Sequence, residues 1–187
     1  MALHDLIPRL TYRDYARIPE DGRRHEILDG EHYVTPAPFV PHQDLLVELT
    51  IRLGGFVKAH RLGKLLAAPT DVLLSPHDIV QPDLLFVSNE RAAIVRSKNL
   101  LGAPDLVIEI LSPSSRRLDK VLKLRAYERN GVQTYWLFDP FRKGVQTYLR
   151  TETGLRPQPF LSAAAGDVLT SPLLPGFELP LAEIFSD

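Results

Sequence analysis

The stretch Gly102-Ala103-Pro104-Asp105-Leu106-Val107-Ile108-Glu109-Ile110-Leu111-Ser112-Pro113-Ser114 constrains this chain more than any other: an apolar strand with a carboxylate near its C-terminal end, followed at once by a basic helix. Side chains alternate along a strand, so Leu106, Ile108 and Ile110 share one face while Asp105, Val107, Glu109 and Leu111 share the other. A charge buried among such neighbours costs several kcal/mol or more unless it is paired, hydrogen-bonded or coordinated, so Glu109 demands a partner. Upstream lies a second acidic strand, Pro82-Asp83-Leu84-Leu85-Phe86-Val87, and downstream lie Arg116, Arg117, Lys120 and Lys123. Two carboxylates with a neighbouring lysine make a divalent-metal site of the hydrolytic kind.

Length and composition bound the rest. A chain of 187 residues, 44% hydrophobic and 24% charged, suits one α/β or α+β domain with a substantial core. The formal net charge of -1 gives no global pull toward nucleic acid, so any such binding rests on local patches. The absence of cysteine excludes disulfides, thiolate catalysis and Cys-type metal sites. Residues Met1 to Leu10 lack an apolar signal core and no later run reaches membrane-spanning length, so a cytoplasmic protein without membrane contact is expected.

Local signals place the elements. Thr11 caps a short helix through Ala16, and Asp29-Gly30 joins Arg24 to Leu28 and Glu31 to Val34 as a tight hairpin. From His42 to Ala59, Leu45, Leu46, Leu49, Leu53, Phe56 and Val57 recur at helical spacing. Strands are expected at Lys64 to Ala68, Asp71 to Ser75, Asp83 to Val87, Asp105 to Leu111, Thr134 to Asp139 and Gly144 to Leu149. A helix from Ser114 or Ser115 to Arg129 closes at Asn130-Gly131, with Leu118, Val121, Leu122 and Ala126 as its buried stripe. Arg116, Asp119, Lys120, Lys123 and Tyr127 then form a polar face. On spacing alone Asp119 and Lys123 are an i,i+4 ion pair on a solvated surface; the alternative lowers Lys123 from the helix flank toward Glu109.

The segments Pro82-Asp83-Leu84, Ala103 to Ser114, Asp119, Lys123, Tyr127, Gly131-Val132 and Tyr135-Trp136-Leu137-Phe138-Asp139-Pro140 closely resemble the Uma-two family of restriction-endonuclease-like proteins. Arg24-His25-Glu26-Ile27-Leu28-Asp29-Gly30, His42 and Leu174-Pro175-Gly176-Phe177 extend the resemblance over nearly the whole chain. It implies a single domain over residues 1–187, of the PD-(D/E)xK nuclease superfamily: a mixed central sheet flanked by helices, with an N-terminal hairpin. It also implies hydrolysis of DNA phosphodiester bonds with Mg2+ or Mn2+.

Carried over by position, the resemblance makes Asp83 and Glu109 the metal ligands. The superfamily's lysine is missing, since Leu111 stands two residues after Glu109, and Lys123 from the next helix fits the migrated role, with Lys120 as the alternative. Glu26 matches a position that adds a third carboxylate, against a plain hairpin charge beside Arg24. His42 at a helix start reads as a capping or packing residue, Asp71 and Asp105 as turn formers, and Tyr135 and Trp136 as core. Asp139 reads as a turn signal, which the resemblance makes a candidate support of the site.

Phosphate-cradling glycine loops, His-Glu-x-x-His helices and Gly-x-Ser-x-Gly elbows are all absent from the sequence. Two readings are left: a metal-dependent endonuclease, which acts as a homodimer if both strands are cut, or an inactive nucleic-acid-binding or protein-interaction module that keeps the fold.

Overall fold

The computed structural model describes residues 9–113 and 115–185. Ser114, one of the two expected helix caps, and Met1 to Pro8 lie outside them. A short helix α1 (Tyr12–Tyr15) opens the described chain, with Asp14 accepting from both the backbone and hydroxyl of Thr11. Ala16 is its C-cap, as expected. The hairpin follows as β1 (Arg24–Leu28) and β2 (Glu31–Thr35), and both turn residues have positive φ, 55° at Asp29 and 80° at Gly30. Helix α2 (Val40–Ala59) buries His42, Leu45, Leu49, Leu53 and Val57 at three- and four-residue steps.

The next strands are β3 (Gly63–Ala67), β4 (Val72–Ser75), β5 (Asp78–Val80), β6 (Leu84–Ser88), β7 (Leu100–Leu101) and β8 (Leu106–Ile110). A π-helical turn, Leu118–Lys123, runs into α3 (Leu124–Asn130), which Gly131 ends in a left-handed conformation. Then come β9 (Thr134–Asp139), β10 (Gly144–Thr151), β11 (Gly154–Pro157), β12 (Leu161–Ser162), β13 (Val168–Thr170) and β14 (Glu178–Pro180). Strands β5, β7 and β11 to β14 are too short, or too rich in turn residues, for the period-two signal to show in the sequence.

One sheet has the order β2-β1-β5-β4-β7, a larger one the order β11-β10-β9-β8-β6-β3 with β12 alongside β10, and β13 and β14 pair as a third. The larger sheet is mixed: β8 and β9 are parallel, whereas β6 and β8 are antiparallel. The expected alternation along β8 holds. Leu106, Ile108 and Ile110 pack with Leu84, Phe86 and the buried side of α2, while Val107 and Leu111 pack with Leu85, Tyr135, α3 and Leu28, Val72 and Val80 of the smaller sheet. The second face carries Glu109, so the smaller sheet and the π turn close over it. Among the described residues no helix is long and apolar enough to cross a membrane.

The helix after β8 departs from expectation. Val121, assigned to the buried stripe, is 38% exposed, whereas Asp119, Lys123 and Tyr127 of the supposed solvated face are buried. A π turn widens the helix, changing which residues meet the sheet, and such turns often lie at functional sites.

Candidate active site

Strand pairing sets the frame. Leu84 pairs with Ile108 and Leu85 with Val107, so the antiparallel register carries Asp83, one residue before β6, opposite Glu109. Residues opposite each other in an antiparallel pair project to the same face. Both carboxylates therefore lie on one side of the sheet, as the metal-site reading requires. They line a common recess of about 20 Å³ together with Arg24, His42, Asp119 and Lys123, room for about one water-sized group.

Lys123 sits at the centre of the buried charges. Its Nζ is 2.9 Å from Glu109 Oε1, 2.9 Å from Glu26 Oε1 and 3.6 Å from Asp119 Oδ1, and the residue is only 2% exposed. The solvated ion-pair picture is thus overturned: Asp119 is a partner, but two strands supply the closer ones. Lys123 does not reach over the sheet edge from a solvent-side flank either; it is enclosed. Lys120 is half-buried and lines a different cavity with Asp139 and Arg142.

Glu26 is no surface hairpin charge. It is fully buried, and its Oε1 also accepts the Gln81 backbone N–H at 2.8 Å. The Tyr127 hydroxyl donates to Glu109 Oε1 at 2.6 Å. Asp83 accepts from Arg24 at 2.6 Å and from the Ile110 backbone N–H at 2.9 Å, and its Oδ2 lies 3.1 Å from His42 Nε2. His42 is the site neighbour that the sequence reading set aside. Its position on the buried stripe of α2, at helical spacing from Leu45, Leu49 and Leu53, is the signal that would have found it.

Burial pushes the Glu109 carboxyl well above the ordinary glutamate range, against the pull of Lys123. Burial likewise raises Asp119, to about 6, again against Lys123. For Asp83 burial also acts upward, but the His42 hydrogen bond and the Arg24 guanidinium outweigh it and hold the carboxyl below its usual range. For Lys123 burial acts downward, and Glu109, Glu26, Asp119 and Asp83 together reverse it, so the ammonium stays charged.

Charge arithmetic bears on a metal. Glu26, Asp83, Glu109 and Asp119 carry four negative charges when ionised, Arg24 and Lys123 carry two positive ones, and the difference equals one divalent cation. Glu26 Oε2 is buried and has no hydrogen-bond partner among the described residues, a spare acceptor in the same cluster. Among the described residues no three acidic or histidine side chains converge at coordinating distance. Magnesium does not need them to, since it binds through one or two carboxylates and keeps several waters. The oxygen donors, and the charge they would leave uncompensated when all four are ionised, suit a hard divalent cation.

Asp71 and Asp105, expected as turn formers, instead tie distant segments together: Asp105 accepts the Ser88 backbone N–H, and Asp71 takes bonds from Tyr15 and Gln81. Tyr135 and Trp136 are core. Asp139 accepts the backbone N–H groups of Phe141 and Arg142, a turn role, and an ion pair from Arg116.

Comparison with known proteins bears on the fold and the family. The crystal structure of a putative nuclease belonging to DUF820 from Anabaena variabilis superposes with a TM-score of 0.76 at 21% identity, over 94% of this chain and 97% of that one. The two share a fold. A search among curated proteins finds no match. The model of the Uma2 family, described as "Putative restriction endonuclease", matches residues 12–182, and the chain belongs to that family.

Proposed function

We propose that this protein is a magnesium- or manganese-dependent endonuclease that hydrolyses phosphodiester bonds of DNA. The observation that carries the reading is the buried ammonium of Lys123 on Glu109, beside a register-matched Asp83, at a recess with net negative charge. Asp83 and Glu109 would hold the ion, which supplies Lewis-acid polarisation of the phosphoryl group and activation of water.

The chain's own groups do the rest. Lys123, kept charged by Glu109, Glu26 and Asp119, meets the negative charge that develops on the phosphoryl oxygens. Tyr127 and Glu26 hold the Lys123–Glu109 pair in place from either side. Arg24 and His42 fix the Asp83 carboxylate and keep it ionised. The ammonium missing at Leu111 is thereby restored from the π turn. The same reading takes residues 1–187 as one domain, acting in the cytoplasm and as a homodimer where both strands are cut.

The inactive-module reading draws on one observation: Asp83 already has its countercharge in Arg24. Incubating the protein with single-stranded, duplex and branched DNA plus magnesium or manganese separates the two. Cleavage abolished by Asp83→Ala, Glu109→Ala and Lys123→Ala, but only modestly affected by Lys120→Ala, is the expected result. Binding without cleavage on every substrate, in both metals, overturns the nuclease reading.

A further inference from the structure

A cleft of about 530 Å³ opens beside the recess, walled by Tyr33, Val34, Pro36, Leu118 and Leu122, with Arg117 as its cation. It is an extension of the site, not a separate hollow. Thr35, Pro36 and Ser115 line both spaces. On the hairpin, Tyr33 is the register partner of Glu26, and Thr35 that of Arg24, so the strand face bearing the site residues continues into the cleft. On the π turn, Leu118 and Leu122 line the cleft, while the residues that follow them, Asp119 and Lys123, line the recess.

We infer that this cleft takes one unpaired nucleobase of the strand being cut, stacked on Tyr33, with the adjoining phosphate met by Arg117, so that the enzyme selects single-stranded or locally opened nucleic acid. The inference rests on the nuclease reading and adds the strandedness of the substrate to it. A volume near 530 Å³ is in the range of small-molecule pockets, far below what a duplex needs. Apolar walls around one aromatic ring offer nothing to a rail of phosphates, whereas a base swung out of its stack presents a π face that such walls desolvate. Arg117 is exposed, and among the described residues it makes no ion pair, so its charge is available to a phosphate. The Tyr33 hydroxyl donates to Glu31 Oε2 at 2.7 Å, which fixes the ring.

The test titrates labelled single-stranded DNA, single-stranded RNA and duplex DNA of one sequence with the full chain in calcium, read by fluorescence anisotropy, and follows cleavage in magnesium or manganese. Single strands of either sugar should bind at least tenfold more tightly than duplex. Tyr33→Ala should weaken single-strand binding about tenfold, with Tyr33→Trp restoring it. Arg117→Ala, at an exposed position, should lower the salt slope of single-strand binding by about 0.7. Equal affinity for duplex, or single-strand affinity untouched by Tyr33→Ala and Arg117→Ala, overturns the inference. If the protein cuts duplex at a rate indifferent to Tyr33→Ala, the cleft assignment fails and the nuclease stands. If it holds single strands through Tyr33 but cuts nothing in either metal, the nuclease reading fails and the cleft assignment survives.

Discussion

Replacing Lys123 with methionine keeps the volume of the side chain and removes its charge, leaving Glu26 and Glu109 buried without the ammonium 2.9 Å from each. Breaking a buried ion pair by removing one partner typically costs about 3–5 kcal/mol. The stranded carboxylates can escape part of that penalty by taking protons, the direction in which burial already pushes Glu109, so the loss should shrink on acidification from pH 7 toward 5. Urea unfolding followed by the fluorescence of Trp136, the sole tryptophan, reads it directly. Adding Glu109→Gln to Lys123→Met should recover part of the loss. A cost below about 1 kcal/mol at pH 7, or one of the same size at pH 5, would refute a buried and charged Lys123.

Magnesium titrated calorimetrically into the protein should bind, and Asp83→Ala and Glu109→Ala should each abolish the heat; binding indifferent to both would move the site elsewhere. Asp119, raised from 3.8 to about 6, holds its proton more tightly folded than unfolded. Its contribution is therefore full below pH 4 and is lost as pH rises through 6, a fall on the order of 3 kcal/mol, which Asp119→Asn should flatten in urea midpoints measured from pH 4 to 7. Gly63 has φ of 155°, and a Cβ there would meet the Val87 carbonyl oxygen at 2.1 Å, so Gly63→Ala should cost about 2–4 kcal/mol. At Gly55 of α2 a Cβ meets nothing within 4 Å, and Gly55→Ala should stabilise by about 0.5–1 kcal/mol; equal melting shifts at the two positions would refute this geometry.

The cluster follows a simple electrostatic plan. Carboxylates from β1, β8, the edge of β6 and the π turn are gathered in a buried cluster, and when all four are ionised the two cations provided fall short of them by two. A deficit of that kind is tolerable only if protons or a metal fill it, which is why Glu109 and Asp119 titrate high in the same recess where Asp83 is held ionised.

Much of this architecture is written in short-range signals. Asp29-Gly30 dictates a hairpin because both positions need positive φ, and Gly131, at φ 90°, ends a helix because it takes the left-handed conformation there. Alternation along Leu106–Ile110 assigns the faces of β8, and the leucine spacing from Leu45 to Leu53 assigns the face of α2. Those properties depend on backbone dihedrals and on periods of two and 3.6, which neighbouring residues set among themselves. The resemblance carried by Asp83, Glu109 and Lys123 named the charged residues that the fold brings together.

The orientation of the segment after β8 was decided elsewhere. In isolation, Asp119, Lys123 and Tyr127 are polar residues at helical spacing, which reads as a surface, and Val121 beside Leu122 reads as core. What turns them inward is Glu109 on β8 and Glu26 on β1, separated from Lys123 by 14 and 97 positions along the chain. The same holds for His42, an ordinary helix-start histidine until Asp83, 41 residues away, is placed against its ring. A countercharge and the exclusion of water decide whether an ionisable side chain is buried, and both come from distant strands, so only the assembled tertiary structure settles it.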